Sequence, residues 1–326
     1  IVMIRRKNRT IIPNGLTYIK EGDAVFVPDF TFFSSGEIVS HAGAVPVFVD
    51  VDMDTFNISA ESLEKAVKKT LDEGILKPQA VVAVDLFGLS ADFAAVRAVA
   101  DKYGLKVLED GAQGFGGSIE GKVACSFGDI STTSFFPAKP LGCYGDGGAV
   151  FTDDDEIAAL LESIRVHGKG EMKYDNVRIG LNSRLDTIQA AVLDVKLRAF
   201  DDYELVDINK AADRYTEKLS VLGEKVKTPV IPEGFYSSWA QYTIQLSDRK
   251  TRDDLQAALK AEGIPSMVYY PKPMHRQEAF AGQAYDDAEF PNTLKLCDTV
   301  LSLPMHPYLT DEDIDAVVDV IKKFFE

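Results

Sequence analysis

The segment around Lys139 combines residue types that covalent catalysis requires. A strand-like run rich in hydroxyl and aromatic side chains, residues 130–136, leads into this lysine, and a cluster of glycines follows: Gly142, Gly145, Gly147 and Gly148. Glycines permit close backbone approach and unusual dihedral angles, so we expect a tight loop at the end of a strand. Apolar surroundings there would disfavour the ammonium form and leave a nucleophilic amine suited to Schiff-base chemistry. A solvated surface lysine is the alternative.

A second candidate is Asp110, which follows the apolar run 106–108 and precedes small residues. Ligands of α/β proteins bind at the carboxyl ends of strands, where a carboxylate can bind a metal, orient a ribose or hold a protonated ring nitrogen. A helix N-cap is the common alternative. Asp110 and Lys139, on separate strands, together match the pattern of pyridoxal phosphate enzymes, in which a lysine binds the cofactor and an aspartate contacts its pyridinium nitrogen.

A third polar segment, residues 178–186, leads into an apolar helical pattern. Arg184 within it suits an anionic ligand, whereas Ser183 or Asp186 could simply cap the helix and Arg184 could be a solvated charge. The glycines between residues 111 and 117 do not form a GxGxxG motif followed by a helix, so they give little support to a nicotinamide site.

Composition argues against several classes of protein. The 326 residues carry 35 Lys and Arg against 51 Asp and Glu, a formal net charge of −16, which disfavours a nucleic-acid or anionic-membrane surface. The 3 cysteines include no CxxC pair and the 4 histidines are scattered, so we expect neither a disulfide framework nor a metal site. No apolar run approaches the roughly 18 residues of a membrane span, and basic residues near the start exclude the apolar core of a signal peptide. We therefore expect a cytoplasmic protein that binds no membrane.

The order of elements predicts the fold class. Short, continuous apolar runs alternate with amphipathic stretches up to about residue 152, which is typical of an α/β protein with a large, mainly parallel sheet covered on both faces. We expect these runs to be strands at 24–27, 46–51, 80–84, 106–108, 130–136 and 148–152. Within this part, residues 90–103 are predicted to form a helix with Ser90 as its N-cap and Gly104 as its C-terminal stop. After Gly223 an alternating strand at 238–246, a strand at 266–270 and an amphipathic helix at 310–325 indicate a small α+β domain. We predict a large domain at residues 1–200 and a small C-terminal domain at 201–326.

The motifs identify a family resemblance that covers the chain from about Glu21 to its end. Three segments carry it: Glu109-Asp110-Gly111-Ala112-Gln113, residues 134–142 around Lys139, and Gly145-Asp146-Gly147-Gly148. They resemble the sugar aminotransferases of the DegT/DnrJ/EryC1/StrS family, a fold-type-I group that uses pyridoxal 5'-phosphate and acts on nucleotide-linked keto sugars. Residues 182–186, 240–243, 269–271 and 302–307 are similar to the branch that aminates UDP-2-acetamido-2-deoxy-3-keto-glucuronic acid with glutamate, for surface-polysaccharide synthesis.

The resemblance implies a role for each candidate residue. Lys139 and Asp110 would be catalytic, the lysine forming the Schiff base with the cofactor and the aspartate pairing with the pyridinium nitrogen. The remaining cofactor contacts would be Gln113 beside the ring hydroxyl, Ser134 on the phosphate, Phe32 stacked on the ring, and Asn182 reaching the phosphate in the neighbouring subunit. The substrate contacts would be Arg184, Tyr269 and Tyr270. The resemblance thus implies a homodimer with shared active sites, small-molecule substrates and no nucleic-acid partner.

Some positions depart from the family pattern. The resemblance implies a longer N-terminal region than the chain has, and only Asn14-Gly15 is similar to the Gly-Thr helix N-terminus that holds the cofactor phosphate. Ala138 and Tyr269 stand where this branch usually has Ser and His. Three functions are alternatives to the amination of a 3-keto sugar: amination of a 4-keto nucleotide sugar, a cofactor-poor paralogue without catalysis, and a dehydratase of the same fold. Lys139 argues against the dehydratase, in which His usually replaces it.

Overall fold

The computed structural model describes residues 2–5, 19–172 and 174–326; Asn14 and Gly15 lie outside these ranges. Within them, a seven-stranded sheet has the spatial order β1-β9-β8-β5-β4-β2-β3. Its strands are β1 (Val2–Arg5), β2 (Asp23–Pro28), β3 (Val45–Val49), β4 (Lys77–Val84), β5 (Lys106–Asp110), β8 (Ile130–Ser134) and β9 (Gly148–Thr152). The neighbouring strand pairs β3–β2, β2–β4, β4–β5 and β5–β8 are parallel, and β9 runs antiparallel to β8. The predicted α/β fold with a mainly parallel sheet is confirmed.

Both faces of this sheet are covered, as its continuous apolar strands predict. In β2, Val25 and Val27 pack into one buried cluster while Ala24 and Phe26 pack into another on the opposite face. The helices that supply these faces are α1 (Ser34–His41), α2 (Ala60–Glu73), α3 (Phe93–Tyr103), α4 (Asp155–Arg165) and α8 (Pro291–Thr299). The carboxyl ends of the strands are the edge at which ligands of α/β proteins bind.

Helix α3 begins later than its apolar pattern predicts. Asp92, whose side chain accepts a hydrogen bond from the Ala95 amide, is its N-cap, and Ser90 is a buried residue before the helix. The prediction of Ser90 as N-cap is wrong, because Asp92 is the side chain that reaches a free amide of the first turn, whereas the Ser90 hydroxyl has no hydrogen-bond partner among the described residues. Gly104 ends the helix in the left-handed conformation, as predicted.

A second buried cluster lies in the C-terminal part of the chain. It packs around the antiparallel pair β11 (Tyr242–Gln245) and β12 (Val300–Leu303) and between helices α6 (Leu205–Leu219), α7 (Arg249–Ala261) and α9 (Asp311–Phe325). Thr310 and Asp313 form a complete capping box at the start of α9. The predicted strand at 266–270 is absent from the described residues, where Met267 makes only an isolated bridge to Ser302.

The segment between α7 and β12 packs against the large sheet. Met274, Phe280 and Phe290 belong to the same buried cluster as Val25 and Val27 of β2. Smaller elements complete the fold: α5 (Thr187–Ala199), a π-helical turn at Phe200–Glu204, and a three-stranded sheet of β6 (Ser118–Ile119), β7 (Lys122–Val123) and β10 (Phe235–Tyr236). The domain division at residues 200 and 201 stays a prediction. None of the described helices has the length and apolar character needed to span a bilayer.

Candidate active site

The carboxyl ends of β5 and β8 bring the two main candidates to one edge of the sheet. Asp110 is the last residue of β5 and lies opposite Thr132 in the neighbouring strand. Ser134 ends β8 two positions further on, and Lys139 lies in the turn after it. Parallel packing of adjacent strands thus places Asp110, Ser134 and the Lys139 turn on the side of the sheet where ligands of α/β proteins bind.

Asp110 is half-buried and its carboxylate is held by two donors. The Ser35 hydroxyl donates to Oδ2 at 2.7 Å, and the Ala112 amide donates to Oδ1 at 3.2 Å. Thr31 Oγ1 lies 3.3 Å from the Ser35 hydroxyl and extends this small network. The helix-cap interpretation of Asp110 is wrong, because turns follow it and the next helix begins only at Asp155. The carboxylate is oriented by its neighbours and retains lone pairs for a ligand.

Lys139 is also half-buried, in a turn whose backbone is closed by a hydrogen bond from its amide to the Phe136 carbonyl. Burial lowers the pKa of the Lys139 amine, and the negative charge of Asp110 opposes that change. Gly142 is required in this loop, since a Cβ there would lie 2.7 Å from the Phe136 and Pro137 carbonyl oxygens. The structure thus holds a primary amine of lowered basicity within the electrostatic influence of a carboxylate.

An aromatic wall closes one side of the site. The Gln113 amide nitrogen donates to the Tyr270 hydroxyl at 3.2 Å, and its oxygen accepts from the Phe87 amide at 2.6 Å. The Tyr270 ring centroid lies 6.3 Å from that of Phe32 and 5.9 Å from that of Phe30. Phe32 is 53% exposed, which leaves one face of its ring available for stacking. Gln113, Tyr270 and Phe32 are therefore brought together, as their predicted roles require.

The other predicted contacts differ in their placement. Tyr269 is half-buried, and its ring centroid lies 5.8 Å from that of Tyr270, to which it is joined by a cis peptide bond. The Ser134 hydroxyl is half-buried and accepts a hydrogen bond from the Phe136 amide at 3.2 Å. Tyr269 thus adjoins the aromatic wall, and Ser134 adjoins the lysine loop.

Asn182 and Arg184 lie on an exposed segment between α4 and α5. Arg184 donates to the Asn182 side-chain oxygen at 2.7 Å, and within the described ranges no hydrogen bond joins either residue to Asp110, Gln113 or Lys139. Asp186 occupies the N-cap position of α5 but makes no capping hydrogen bond. The predicted cofactor and substrate contacts of Asn182 and Arg184 therefore stay predictions.

Two polar residues near the site were missed by sequence reasoning. Ser35 is the second residue of α1, and its contact with Asp110 has no local signal, because the two residues are 75 positions apart. Asp85 at the end of β4 is fully buried, and its Oδ2 has no hydrogen-bond partner among the described residues. Burial, followed by the charge of the neighbouring Glu109, raises the pKa of the Asp85 carboxyl well above its ordinary value. The one sequence signal for Asp85 was its position immediately after an apolar strand.

The functional groups of the site suit an organic ligand. In the described ranges, no group of three or more His, Cys, Asp and Glu side chains is arranged to hold a metal ion. The site instead offers an amine, a carboxylate, an amide, hydroxyls and aromatic rings. This set fits covalent chemistry at a carbonyl carbon beside an aromatic ligand.

Comparison with known proteins agrees with this chemistry. Residues 15–322 match the model of the DegT/DnrJ/EryC1/StrS aminotransferase family. The UDP-2-acetamido-2-deoxy-3-oxo-D-glucuronate aminotransferase of Pseudomonas aeruginosa is 43% identical over 91% of this chain and 78% of its own length. The UDP-N-acetyl-3-dehydro-alpha-D-glucosamine 3-aminotransferase of Acidithiobacillus ferrooxidans is 41% identical over 94% and 78%.

Solved structures show the same similarity in three dimensions. A DegT/DnrJ/EryC1/StrS aminotransferase from Brucella abortus superposes with a TM-score of 0.90 at 50% identity, covering 94% of this chain and 80% of its own. DesV from S. venezuelae, solved with a ketimine intermediate, gives a TM-score of 0.86 at 34% identity, covering the same shares of the two chains. The fold and the site define a sugar aminotransferase. The chain belongs to the DegT/DnrJ/EryC1/StrS aminotransferase family.

Proposed function

We propose that this enzyme uses pyridoxal 5'-phosphate to transfer the amino group of glutamate to a UDP-linked 3-keto sugar, with UDP-2-acetamido-2-deoxy-3-keto-glucuronic acid as substrate. The observation that carries the proposal is the pairing of Lys139 with Asp110 at one edge of the sheet. The amine of Lys139 has a lowered pKa because it is buried, and Asp110 is the carboxylate whose charge acts on it.

The residues present fit this cofactor. Lys139 supplies the amine for its aldehyde, and Asp110, fixed by Ser35 and Ala112, supplies a carboxylate for its ring nitrogen. Gln113, which contacts Tyr270, would lie beside the cofactor ring, and the half-exposed Phe32 offers a face for stacking. When bound, the cofactor supplies an electron-withdrawing ring that stabilises negative charge at the carbon next to the substrate nitrogen.

The chain's own residues then perform the proton transfers. As a neutral amine, Lys139 would remove a proton from the α-carbon of glutamate and, as the resulting ammonium, return it to the cofactor carbon bonded to the substrate nitrogen. Its lowered pKa favours the neutral form that this step needs, because a base works best with a pKa near the working pH. Asp110 holds a proton at the ring nitrogen through a charge-assisted hydrogen bond. Positioned acid–base catalysis of this kind contributes about 10²–10⁴-fold in rate.

The substrate assignment rests on two relatives and on three side chains. Two relatives above 40% identity are named for 3-oxo or 3-dehydro UDP-sugars, and they differ in whether the sugar carries a carboxylate. A third relative at 43% identity is named a pleiotropic regulatory protein and says nothing about the sugar. Tyr269 and Tyr270 offer a surface for the sugar nucleotide next to Gln113. Arg184 offers an exposed guanidinium for the uronate carboxylate or the pyrophosphate. A guanidinium binds either group through two parallel hydrogen bonds.

Asn182 and Arg184 reach the site in this proposal through a second copy of the chain. Large apolar side chains near them are strongly exposed, with Ile179 at 97%, Tyr174 at 86% and Ile188 at 78%. Several large exposed apolar side chains within one short stretch of chain favour a protein interface there. A homodimer would cover this surface and bring the two polar residues to the partner's site. A cytoplasmic location stays a prediction.

A two-stage assay tests the function. The protein is loaded with pyridoxal phosphate, reduced with borohydride and digested, and mass spectrometry is expected to find the cofactor on Lys139. Unreduced enzyme is then treated with glutamate and offered the 3-keto forms of UDP-N-acetylglucosamine and its uronate. Amination of the uronate with at least about tenfold higher kcat/KM supports the assigned substrate, since a charged contact is worth about 1.5–3 kcal/mol. Equal rates would overturn the uronate, and attachment elsewhere would overturn the role of Lys139.

A further inference from the structure

A buried ion pair joins the end of β2 to the C-terminal half of the chain. His275 Nδ1 lies 2.6 Å from Asp29 Oδ2, and the His275 backbone amide donates to Asp29 Oδ1 at 2.8 Å. The amide of Met274 donates to the Asp29 carbonyl at 3.0 Å. The Asp29 side chain is fully buried and that of His275 is 3% exposed. Asp29 therefore anchors the segment at 274 and 275 with its main chain and with both carboxylate oxygens.

The second ring nitrogen of His275 has a carboxylate of its own. His275 Nε2 lies 3.0 Å from Asp287 Oδ1, and Asp287 also accepts hydrogen bonds from Arg276. The imidazole ring stacks on Phe290 with centroids 4.5 Å apart. The other titratable groups around this pair are Tyr285 on the same segment, Cys297 on α8, Asp298 at the end of that helix, and Asp50 after β3. The imidazole thus lies between two carboxylates, one buried and one at the surface.

This pair connects the two segments that build the aromatic wall. Asp29 directly precedes Phe30 and lies three residues before Phe32. Tyr269 and Tyr270 lie a few residues before His275. The Phe30 ring contacts the Tyr270 ring edge-on at 5.9 Å. The attachment of His275 to Asp29 therefore sets the position of Tyr270 relative to Phe32 and Gln113.

We propose that His275 is a positioning residue, which in its doubly hydrogen-bonded, charged form clamps the Tyr269–Tyr270 segment onto the end of β2 and so sets the sugar-nucleotide side of the site. The inference rests on the proposed function for its effect on substrate, but the clamp itself is a property of the folded chain. Neutral imidazole can donate through only one nitrogen. Deprotonation therefore breaks one of the two carboxylate contacts and loosens the segment.

Electrostatics agree with this geometry. Burial opposes the charge on His275, but hydrogen bonds to Asp29 and then to Asp287, with their charges, outweigh it and raise the pKa of His275 above 6.5. Because the folded pKa is raised, the stabilisation is complete below the unfolded pKa and is lost as the pH rises through the folded value. Arg276 and His275 lower the pKa of Asp287 to about 2, so this partner stays charged over the whole range.

The first experiment measures the titration of His275 in the full-length protein. Histidine labelled with ¹³C at Cε1 gives one signal for each of the 4 histidines, and the His275→Asn and His41→Asn variants assign two of them. We expect His275 to titrate above 6.5 in the parent and about one unit lower in Asp287→Asn, since a carboxylate within 4 Å favours the charged ring. An unshifted His275, or one indifferent to Asp287→Asn, overturns the proposal. Asp287 is about half exposed, so this variant keeps the test open if His275→Asn fails to fold.

The second experiment asks whether the charge of His275 holds the segment. Hydrogen exchange is followed by mass spectrometry in peptides covering 269–277 and 30–35, with α9 as internal reference. Protection of both peptides should fall as the pH rises through the measured pKa of His275, after correction for intrinsic exchange. At pH 6 the His275→Asn variant should exchange more than about tenfold faster there, because one partner of a buried ion pair is lost. His41→Asn, an exposed histidine on α1 beside Glu37, is the matched control and should change neither peptide. Protection that ignores the His275 titration refutes the clamp.

Kinetics separate this inference from the proposed function. The KM for the nucleotide sugar should rise several-fold above the His275 pKa while kcat and the KM for glutamate stay nearly constant. In Asp287→Asn the rise should begin at the lower pH at which His275 now titrates. A KM that does not follow the His275 titration overturns the positioning role. If the parent shows no transamination, the proposed function fails, and titration and exchange alone decide the clamp.

Discussion

Ser35 and Asp110 are 75 residues apart in sequence, yet the Ser35 hydroxyl donates a 2.7 Å hydrogen bond to Asp110 Oδ2. Ser35 belongs to α1 and Asp110 ends β5, so the contact connects a helix on one face of the sheet to its ligand-binding edge. The Ala112 amide holds the other carboxylate oxygen. These two donors leave the carboxylate a single orientation in which to meet a ring nitrogen.

Removal of this hydroxyl tests its role. We expect Ser35→Ala to lower kcat about tenfold while the protein stays folded, because a hydrogen bond to a charged group contributes about 1.5–3 kcal/mol. Steady-state kinetics with glutamate measure the effect. Ser40→Ala, an exposed serine on the same helix, is the control and should behave like the parent. A fully active Ser35→Ala variant would show that Ala112 alone orients Asp110.

Lys139→Ala should abolish transamination with little change in unfolding temperature. The lost group is an amine in a loop rather than buried apolar volume, so a large loss of stability is not expected. Activity assays and thermal unfolding are compared with Lys77→Ala, an exposed lysine at the opposite end of the sheet. Turnover equal to the parent in Lys139→Ala would end the proposed role of this lysine.

Asp110→Asn should retain the cofactor but lose most activity, because an amide does not favour the protonated ring nitrogen. It should also change the pH dependence of cofactor loading. The charge of Asp110 raises the pKa of Lys139 against the effect of burial, so its removal lowers that pKa and moves the loading profile to lower pH. The rate of reaction with pyridoxal, measured across the alkaline range, reports this shift. An unchanged profile would mean that Asp110 does not act on Lys139.

Mixing two inactive variants tests whether sites are shared. If Asn182 completes the site of a second copy, equal amounts of exchanging Asn182→Ala and Lys139→Ala subunits should restore about a quarter of all sites. Added pyridoxal phosphate should raise the unfolding temperature of the parent, since a ligand stabilises the state that binds it. Recovery is measured as activity after subunit exchange is verified by native mass spectrometry. An inert mixture would show that each chain builds its own site.

Asp85→Asn should stabilise the protein, and more so at high pH. Burial raises the pKa of Asp85, so the folded state of the parent loses stability as the pH rises from the unfolded value of 3.8 towards the folded one. Asparagine keeps the acceptor for the Ala91 amide and does not titrate. We expect an unfolding temperature higher by about 2–4 °C at pH 8 and a smaller gain at pH 5. Equal gains at both pH values would contradict the ionisation argument.

Much of the fold follows from local sequence. Buried parallel strands are continuous apolar runs, so six of the seven strands of the large sheet were predicted within a few residues, and β9 was predicted at Gly148–Thr152 without error. The strand β1 was not predicted. The prediction of a strand at 266–270 was wrong. The local apolar pattern is typical of a strand, but β12 pairs with β11 and makes only a single bridge to this segment. Strand pairing depends on which edge is free, and no local pattern contains that information.

The sequence by itself determined which residues follow strands, and therefore that Asp110 and Lys139 lie at one edge of the sheet. Only the tertiary structure decided which other side chains are brought to this edge and what fixes them there. Gln113 meets Tyr270 across 157 positions and His275 meets Asp29 across 246, and each contact exists because separate helices and loops pack onto the same strand ends. Backbone periodicity records local burial, whereas side-chain hydrogen bonds of this range depend on how elements distant in sequence pack together.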